Sequence, residues 1–92
     1  MTNRLAGKWV IITGASSGFG AETARQFAGL GVNLLLGARR EDRLAVVAGE
    51  CLKLGAISVH IHHLDVVNTQ SVNTFADWAR SITGRVDVLV NN

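Results

Sequence analysis

Apolar residues along this chain alternate between short continuous runs and stripes with helical spacing. Four apolar or β-branched runs predict strands at residues 10–13, 33–37, 57–64 and 86–90. Three stretches between them carry apolar residues three and four positions apart, which predicts helices over 18–30, over 41–54 and between Asn68 and Gly84. Strands and helices therefore alternate along the whole chain, with short connections and no linker.

The helical stripes also predict which residues are buried. The expected set is Ala24, Phe27 and Ala28 in the first helix, Leu44, Val47, Ala48, Cys51 and Leu54 in the second, and Val72, Phe75, Ala76, Ala79 and Ile82 in the third. Gly31 continues the spacing of the first helix and suits the position just after its end. The position of Cys51 within a stripe favours a place in the core over a role as a nucleophile. A single cysteine excludes an internal disulfide and is typical of a reducing, cytoplasmic compartment.

Alternation of this kind predicts an α/β fold with three layers, a doubly wound parallel sheet built as β-α-β-α-β-α-β. The strand order should be 3-2-1-4, with helices one and two on one face and helix three on the other. We expect residues 1–92 to form a single partial domain that ends after the fourth strand. That strand would be an open edge, at which Val88 and Val90 or their neighbours are partly bare.

Composition and charge exclude several classes of function. The chain has 92 residues, of which 48% are hydrophobic, as is typical of strands buried on both faces. The net charge of +2 is a mild excess without a basic stripe, so no nucleic-acid partner is expected. No apolar run approaches the roughly 20 residues that span a bilayer, so no membrane segment is expected. His60 and His62 share one side of a strand, but a third ligand is not evident, and a partly exposed strand end is favoured over a metal site.

A glycine-rich turn lies between the first strand and the first helix. Gly14 permits a tight exit from the strand, Gly18 allows the backbone to approach a phosphate, and Gly20 allows the helix to pack close to the strand. Ser16 and Ser17 supply hydroxyls for phosphate oxygens or for capping the helix. Because this turn opens a β-α-β unit, it predicts a pyrophosphate site rather than a turn without a ligand.

The end of the second strand indicates which dinucleotide is bound. Domains that prefer NAD place an acidic residue about 20 residues past the glycines, whereas this chain has Arg39 and Arg40 there. Guanidinium groups bind phosphate through paired hydrogen bonds, so the sequence predicts NADP(H) over NAD. A solvated pair of charges is the alternative interpretation.

Four segments together resemble the short-chain dehydrogenase/reductase family. They are residues 13–20 (Thr-Gly-Ala-Ser-Ser-Gly-Phe-Gly), 38–40 (Ala-Arg-Arg), 64–66 (Leu-Asp-Val) and 88–92 (Val-Leu-Val-Asn-Asn). The resemblance implies a Rossmann-like fold and hydride transfer between NADP(H) and an alcohol or carbonyl substrate. It also implies a parent protein that forms homo-oligomers.

The resemblance assigns roles to individual residues. The residues that would line the pyrophosphate and ribose are Gly14, Ser16, Gly18, Phe19 (through its backbone) and Gly20. Arg39 and Arg40 would bind the 2′-phosphate, and Asp65 and Val66 would contact the adenine. Asn91 matches the first residue of the family's Asn-Asn-Ala-Gly motif, near the cofactor.

The chain departs from the family pattern in two ways. Phe19 replaces a more common aliphatic residue, which changes packing only. The sequence contains no tyrosine, so the family's catalytic Tyr-x-x-x-Lys pair is not among these 92 residues. We therefore expect no catalytic residue here, and the segment alone to be inactive.

Two other functions are compatible with the sequence. One is a free-standing, non-catalytic nucleotide-binding half-domain that could pair through its fourth strand. The other is a different Rossmann class such as a methyltransferase, which Arg39 and Arg40 disfavour because such proteins usually have an acid after the second strand.

Overall fold

The computed structural model describes residues 3–92, and the predicted order of elements is confirmed. The strands are β1 (Trp9–Thr13), β2 (Asn33–Ala38), β3 (Ser58–His63) and β4 (Val88–Val90), and the helices are α1 (Gly18–Ala28), α2 (Glu41–Leu54) and α3 (Thr69–Ile82). All strand pairs are parallel, in the order β3-β2-β1-β4. This is the predicted doubly wound sheet, with its switch point between β1 and β4.

Two element boundaries differ from the predicted ones by two residues, and the ends of β1, β2 and β3 differ by one residue at most. The first helix ends at Ala28, two residues early, because the backbone N–H of Leu30 bonds to Phe27 and Gly31 turns the chain with a φ of 70°. The last strand begins at Val88 instead of residue 86. The preceding Asp87 uses its side chain as well as its backbone to bond to β1, so this position is outside the regular ladder.

The main core lies between the sheet and the pair α1 and α2. Fully buried side chains from the strands and α2 include Val10, Ile12, Leu34, Leu36, Leu44 and Cys51. Burial raises the pKa of the Cys51 thiol to about 11, so the thiol stays protonated at neutral pH and behaves as an apolar core group. Leu54, which we expected to be buried, is 50% exposed because it is the last residue of α2, at the end of the helix.

The opposite face of the sheet is covered by α3 over only part of its width. One row across this face runs from β3 to β4 through His60, Leu35, Ile11 and Leu89. Leu35 is fully buried and Ile11 is half-buried, whereas Leu89 is 62% exposed. The sheet is therefore partly bare at β4, as expected, and the most exposed residue is Leu89.

The third helix buries less of its apolar stripe than the sequence predicts. Phe75 and Ala79 are buried, but Val72 is 40% exposed, and Ala76 and Ile82 are half-buried. α3 packs against β3, at one edge of the sheet. No element among residues 3–92 therefore covers the part of the α3 apolar stripe that lies away from β3.

Two histidines of β3, His60 and His62, pack against aromatic rings. His60 stacks on Trp9 with ring centroids 5.9 Å apart, and His62 lies 4.9 Å from Trp78 and 6.1 Å from Phe75. Trp78 therefore covers the sheet. Within residues 3–92, no three His, Cys, Asp or Glu side chains are grouped to hold a metal ion. In the same part of the chain, no helix has the length and apolar character needed to cross a membrane.

Asp87 connects the start of β4 to β1. Its carboxylate accepts the backbone N–H of Trp9 at 2.8 Å and the Nε–H of Arg85 at 2.7 Å. The Trp9 N–H, and after it Arg85, hold the pKa of the Asp87 carboxyl below its ordinary value. The charged form of Asp87 is therefore the form that the fold stabilises.

We expect Asp87→Asn to lower the free energy of unfolding at neutral pH and to matter less in acid. The pKa of the Asp87 carboxyl is lower in the folded state than in the unfolded state, where it is about 3.9. The stabilisation is therefore complete above the unfolded-state pKa and is lost as the pH falls through the folded-state pKa. Urea denaturation at neutral pH and at about pH 2 measures this. Asp77→Asn, at an exposed pair with Arg80, is the control. A difference between Asp87→Asn and wild type that persists undiminished in acid would contradict the assignment.

Candidate functional site

The turn between β1 and α1 presents backbone N–H groups at the carboxyl end of the sheet. Gly18 has a φ of 58°, and a Cβ added there would meet no atom within 4 Å, so its surface faces open space. Ser17 is the N-cap of α1 but makes no side-chain capping bond, in contrast to Asn68, which caps α3 by accepting the N–H of Ser71. The first N–H groups of α1 are thus available to a ligand anion, and the helix dipole favours one there.

Gly20 lets α1 lie directly against this turn. A Cβ at Gly20 would lie 1.9 Å from the carbonyl oxygen of Gly14 and 2.6 Å from its carbonyl carbon. No side chain larger than hydrogen fits at this distance unless the backbone moves. The close contact fixes the start of α1 relative to the end of β1, and with it the direction of the exposed N–H groups.

A second wall of the site is formed by arginines after β2. Arg39 and Arg40 are exposed at the strand end, and Arg43 follows in the first turn of α2. Arg40 Nε lies 3.6 Å from Asp42 Oδ1. The backbone N–H of Arg43, and after it the charge of Arg40, lower the pKa of the Asp42 carboxyl, so this carboxylate is charged at neutral pH.

The third wall is the loop that joins β3 to α3. The backbone N–H of Leu64 bonds to the carbonyl of Ala38, which holds this loop beside the arginines. Asp65 donates its backbone N–H to Ser71 Oγ at 2.9 Å and accepts the N–H of Val67 at 3.2 Å. These bonds fix the half-buried Asp65 carboxylate at the edge of the site.

The three walls enclose an open groove of about 470 Å³. The predicted residues that line it are Gly14, Ser16, Ser17, Arg39, Arg40, Asp65 and Val66. Four predicted site residues do not line the groove: Gly18, Phe19, Gly20 and Asn91. The first three lie in the first turn of α1, where Gly20 is buried, and Asn91 follows β4. The side chain of Phe19 is 88% exposed, and any contact of this residue with a ligand at the turn would come from its backbone.

Five lining residues were not among the sequence-predicted site residues. They are Ala38, Arg43, Leu64, Val67 and Asn92. A signal for Arg43 was present, because it lies three residues after Arg40 and such a spacing places both on one side of a helix start. Val67 is 88% exposed and follows the predicted pair Asp65 and Val66 directly.

Thr13 joins the carboxyl ends of β1 and β4 at the switch point. Its Oγ1 donates to Asn91 Oδ1 at 2.8 Å and accepts the backbone N–H of Asn92 at 3.1 Å. Asn92 Nδ2 in turn donates to the Thr13 carbonyl at 3.0 Å. This network holds Asn92 against the groove and Asn91 beside β1.

We expect Thr13→Val to lower the free energy of unfolding by about 1–3 kcal/mol, because Val has the same shape but leaves Asn91 Oδ1 and the backbone N–H of Asn92 without the hydroxyl as a partner. Denaturation in urea measures the change. Thr23→Val on α1 is the control, since it makes the same chemical change away from the switch point. Equal stability of the Thr13→Val protein and wild type would show that the network contributes nothing.

Comparison with known sequences identifies a family. The family model described as short chain dehydrogenase matches residues 8–92. An 11-beta-hydroxysteroid dehydrogenase-like 4A protein of Arabidopsis thaliana is 46% identical over 91 residues, covering 99% of this chain and 30% of that protein. The chain thus spans about a third or less of the length of such curated relatives.

Solved structures superpose closely. An alcohol dehydrogenase from the archaeon Thermococcus sibiricus, complexed with 5-hydroxy-NADP, is 43% identical with a TM-score of 0.85 over 89% of this chain and 35% of its own. L-sorbose reductase from Gluconobacter frateurii, complexed with NADPH and L-sorbose, is 36% identical with a TM-score of 0.93 over 100% of this chain and 35% of its own. With the family match over nearly all of its length, the chain belongs to the short-chain dehydrogenase family.

Proposed function

We propose that this chain is the NADP(H)-binding part of an oxidoreductase that transfers hydride between NADP(H) and an alcohol or carbonyl substrate. The observation that carries the proposal is the arginine wall of the groove, where Arg39, Arg40 and Arg43 stand together at the end of β2. An acid at this place would hold the ribose 2′-OH of NAD, whereas arginines match a 2′-phosphate. The relatives complexed with NADPH and 5-hydroxy-NADP support the same choice.

The groove has the chemistry that the adenosine half of the cofactor requires. Arginines and the serines of the β1–α1 turn line the same groove, which suits a phosphate bound between the two loops. The uncapped start of α1 suits the pyrophosphate. The fixed Asp65 carboxylate can accept hydrogen bonds from an amino group, as adenine offers, and Val66 provides an adjacent backbone and apolar surface.

The chain's own residues bind and orient the cofactor in this proposal. A bound nicotinamide would supply or accept the hydride, and the Thr13 network fixes the carboxyl ends of β1 and β4 relative to each other. We propose that none of these 92 residues transfers the substrate's proton, since the sequence has no tyrosine to do so. The segment by itself should therefore bind cofactor without turning over substrate.

We further propose a cytoplasmic homo-oligomer. Cys51 is a free, buried thiol, which suits a reducing compartment. The homo-oligomer is what the resemblance to the short-chain dehydrogenase family implies. Light scattering on the intact protein gives its mass in solution, and a monomer at working concentration would contradict the oligomer.

Equilibrium binding of NADPH and NADH to the intact protein tests the proposed function. Two charge-assisted hydrogen bonds from arginine to the 2′-phosphate should make the Kd for NADPH at least about tenfold lower than that for NADH. Equal affinities, or tighter binding of NADH, would contradict the assignment of NADP(H). Binding of neither would contradict the assignment of any nicotinamide dinucleotide.

A further inference from the structure

The helix α2 is apolar on its solvent side as well as on its core side. Residues 44–49, in the middle of the helix, are Leu, Ala, Val, Val, Ala and Gly, without one polar side chain. Leu44 and Val47 are buried in the core, whereas Val46 is 65% exposed and Leu52 is 53% exposed. A surface helix ordinarily has charged or polar residues opposite its buried stripe. An apolar second side is typical of a helix that packs against protein on that side as well.

The solvent side of α2 has only small side chains at its centre. Ala45 and Gly49 are exposed and four residues apart, so they lie one helical turn from each other, between Val46 and Leu52. A Cβ added at Gly49 would meet no atom within 4 Å, so no other part of residues 3–92 lies over it. Small side chains at a contact let two helices approach each other closely. These four exposed residues, called the α2 face, therefore form a surface that fits a second helix.

The two ends of the α2 face carry opposite charges. Asp42 lies seven residues before Gly49 and Lys53 lies four residues after it, so both are on the same side of the helix as Gly49. The Asp42 side chain is 72% exposed, and its contact with Arg40, at 3.6 Å, joins two exposed groups and is weak. No ion pair involves Lys53 within residues 3–92. Two antiparallel copies of α2 would place the basic end of each beside the acidic end of the other, so the α2 face is complementary to itself.

We propose that the α2 face is an interface between two copies of this protein, which pack antiparallel about a twofold axis near Gly49. The proposal rests on the homo-oligomer proposed above and names the surface through which copies meet. Val46 of each copy would pack on Leu52 of the other, since each is three residues from Gly49. Lys53 of each copy would lie beside Asp42 of the other.

Gly49→Arg tests the interface through the mass of the intact protein in solution. The new side chain enters open space in a single copy, and arginine is a better helix former than glycine, so the variant should fold. In the pair, two arginines would meet at the twofold axis, and the mass from sedimentation equilibrium at micromolar concentration should fall about twofold. Gln26→Arg adds the same charge on the exposed side of α1 and should keep the wild-type mass.

A reversal of charges tests the antiparallel arrangement. Lys53→Asp should raise the dissociation constant of the pair of copies by about tenfold or more, because two carboxylates would then face each other. Asp42→Lys in the same protein exchanges the two charges and should bring this constant back toward the wild-type value. Restoration of this kind requires the two side chains to face each other across the interface.

The outcomes separate this inference from the function on which it rests. Binding of NADPH decides the cofactor assignment independently of mass, whereas a monomeric wild type would overturn the homo-oligomer and with it this interface. An oligomer whose mass Gly49→Arg leaves unchanged, or changes no more than Gln26→Arg does, would overturn the α2 interface alone. Loss of the folded state in Gly49→Arg, measured by circular dichroism, would show that α2 is covered within one copy and would also overturn it. Failure of Asp42→Lys to restore association would overturn the antiparallel pairing.

Discussion

Arg39→Asp should weaken NADPH binding by about 100-fold or more and NADH binding far less, because the change removes a charge-assisted bond and adds repulsion toward the 2′-phosphate. An acid at this position also provides the acceptor that a ribose 2′-OH uses, so NADH could bind as well as before or better. Titration by cofactor fluorescence or calorimetry gives both constants. The expected result is a reversal of cofactor preference in a folded protein.

A matched charge reversal elsewhere makes this result specific. Arg80→Asp on α3 produces the same change of net charge at an exposed surface pair. It should shift both cofactor affinities little, since surface charges beyond the screening length of about 8 Å act weakly at physiological salt. If Arg39→Asp weakened NADPH and NADH by the same factor, the 2′-phosphate would not lie at Arg39.

Gly20→Ala should be the most destabilising glycine-to-alanine substitution in the chain. The added Cβ would lie 1.9 Å from the Gly14 carbonyl oxygen, which is a backbone atom and cannot rotate away as a side chain can. We expect a loss of about 3 kcal/mol or more in the free energy of unfolding, at the upper end of the cost of overpacking. Cofactor binding should fall with it, because the start of α1 must move.

Gly49→Ala is the same substitution, but we expect it to raise the free energy of unfolding. Gly49 lies inside α2, and a Cβ there meets no atom within 4 Å. Alanine is the better helix former, so this variant should gain about 0.5–1 kcal/mol. Urea denaturation of both variants measures the difference. A Gly20→Ala protein as stable as Gly49→Ala would mean that the turn does not pack as the structure describes.

Local patterns in the sequence account for most of the architecture. The continuous run Leu34, Leu35 and Leu36 predicted a strand buried on both faces, and all three side chains are fully buried. The alternation of strands and helices predicted the order 3-2-1-4, because right-handed crossovers leave few other topologies. The glycine turn and the arginines were expected at the carboxyl end of the sheet, and the structure brings both into one groove.

Other features depend on contacts that no local pattern reports. Leu54 and Val72 match an apolar stripe but are exposed, because a helix stripe does not reveal where the sheet beneath it ends. The network of Thr13 joins residues 78 and 79 positions apart, so it follows only from the pairing of β1 with β4. Arg43 was not predicted as a site residue, because its spacing from Arg40 indicates a shared side of the helix start but does not reveal that this side faces the groove.

A crystal structure of the intact protein with NADP⁺ would show where the 2′-phosphate and the pyrophosphate lie relative to the groove. We expect the 2′-phosphate to lie within hydrogen-bonding distance of Arg39 in the arginine wall, and the pyrophosphate to lie at the start of α1. Density for the nucleotide outside the groove, or a 2′-phosphate pointing into solvent away from the arginine wall, would contradict this expectation.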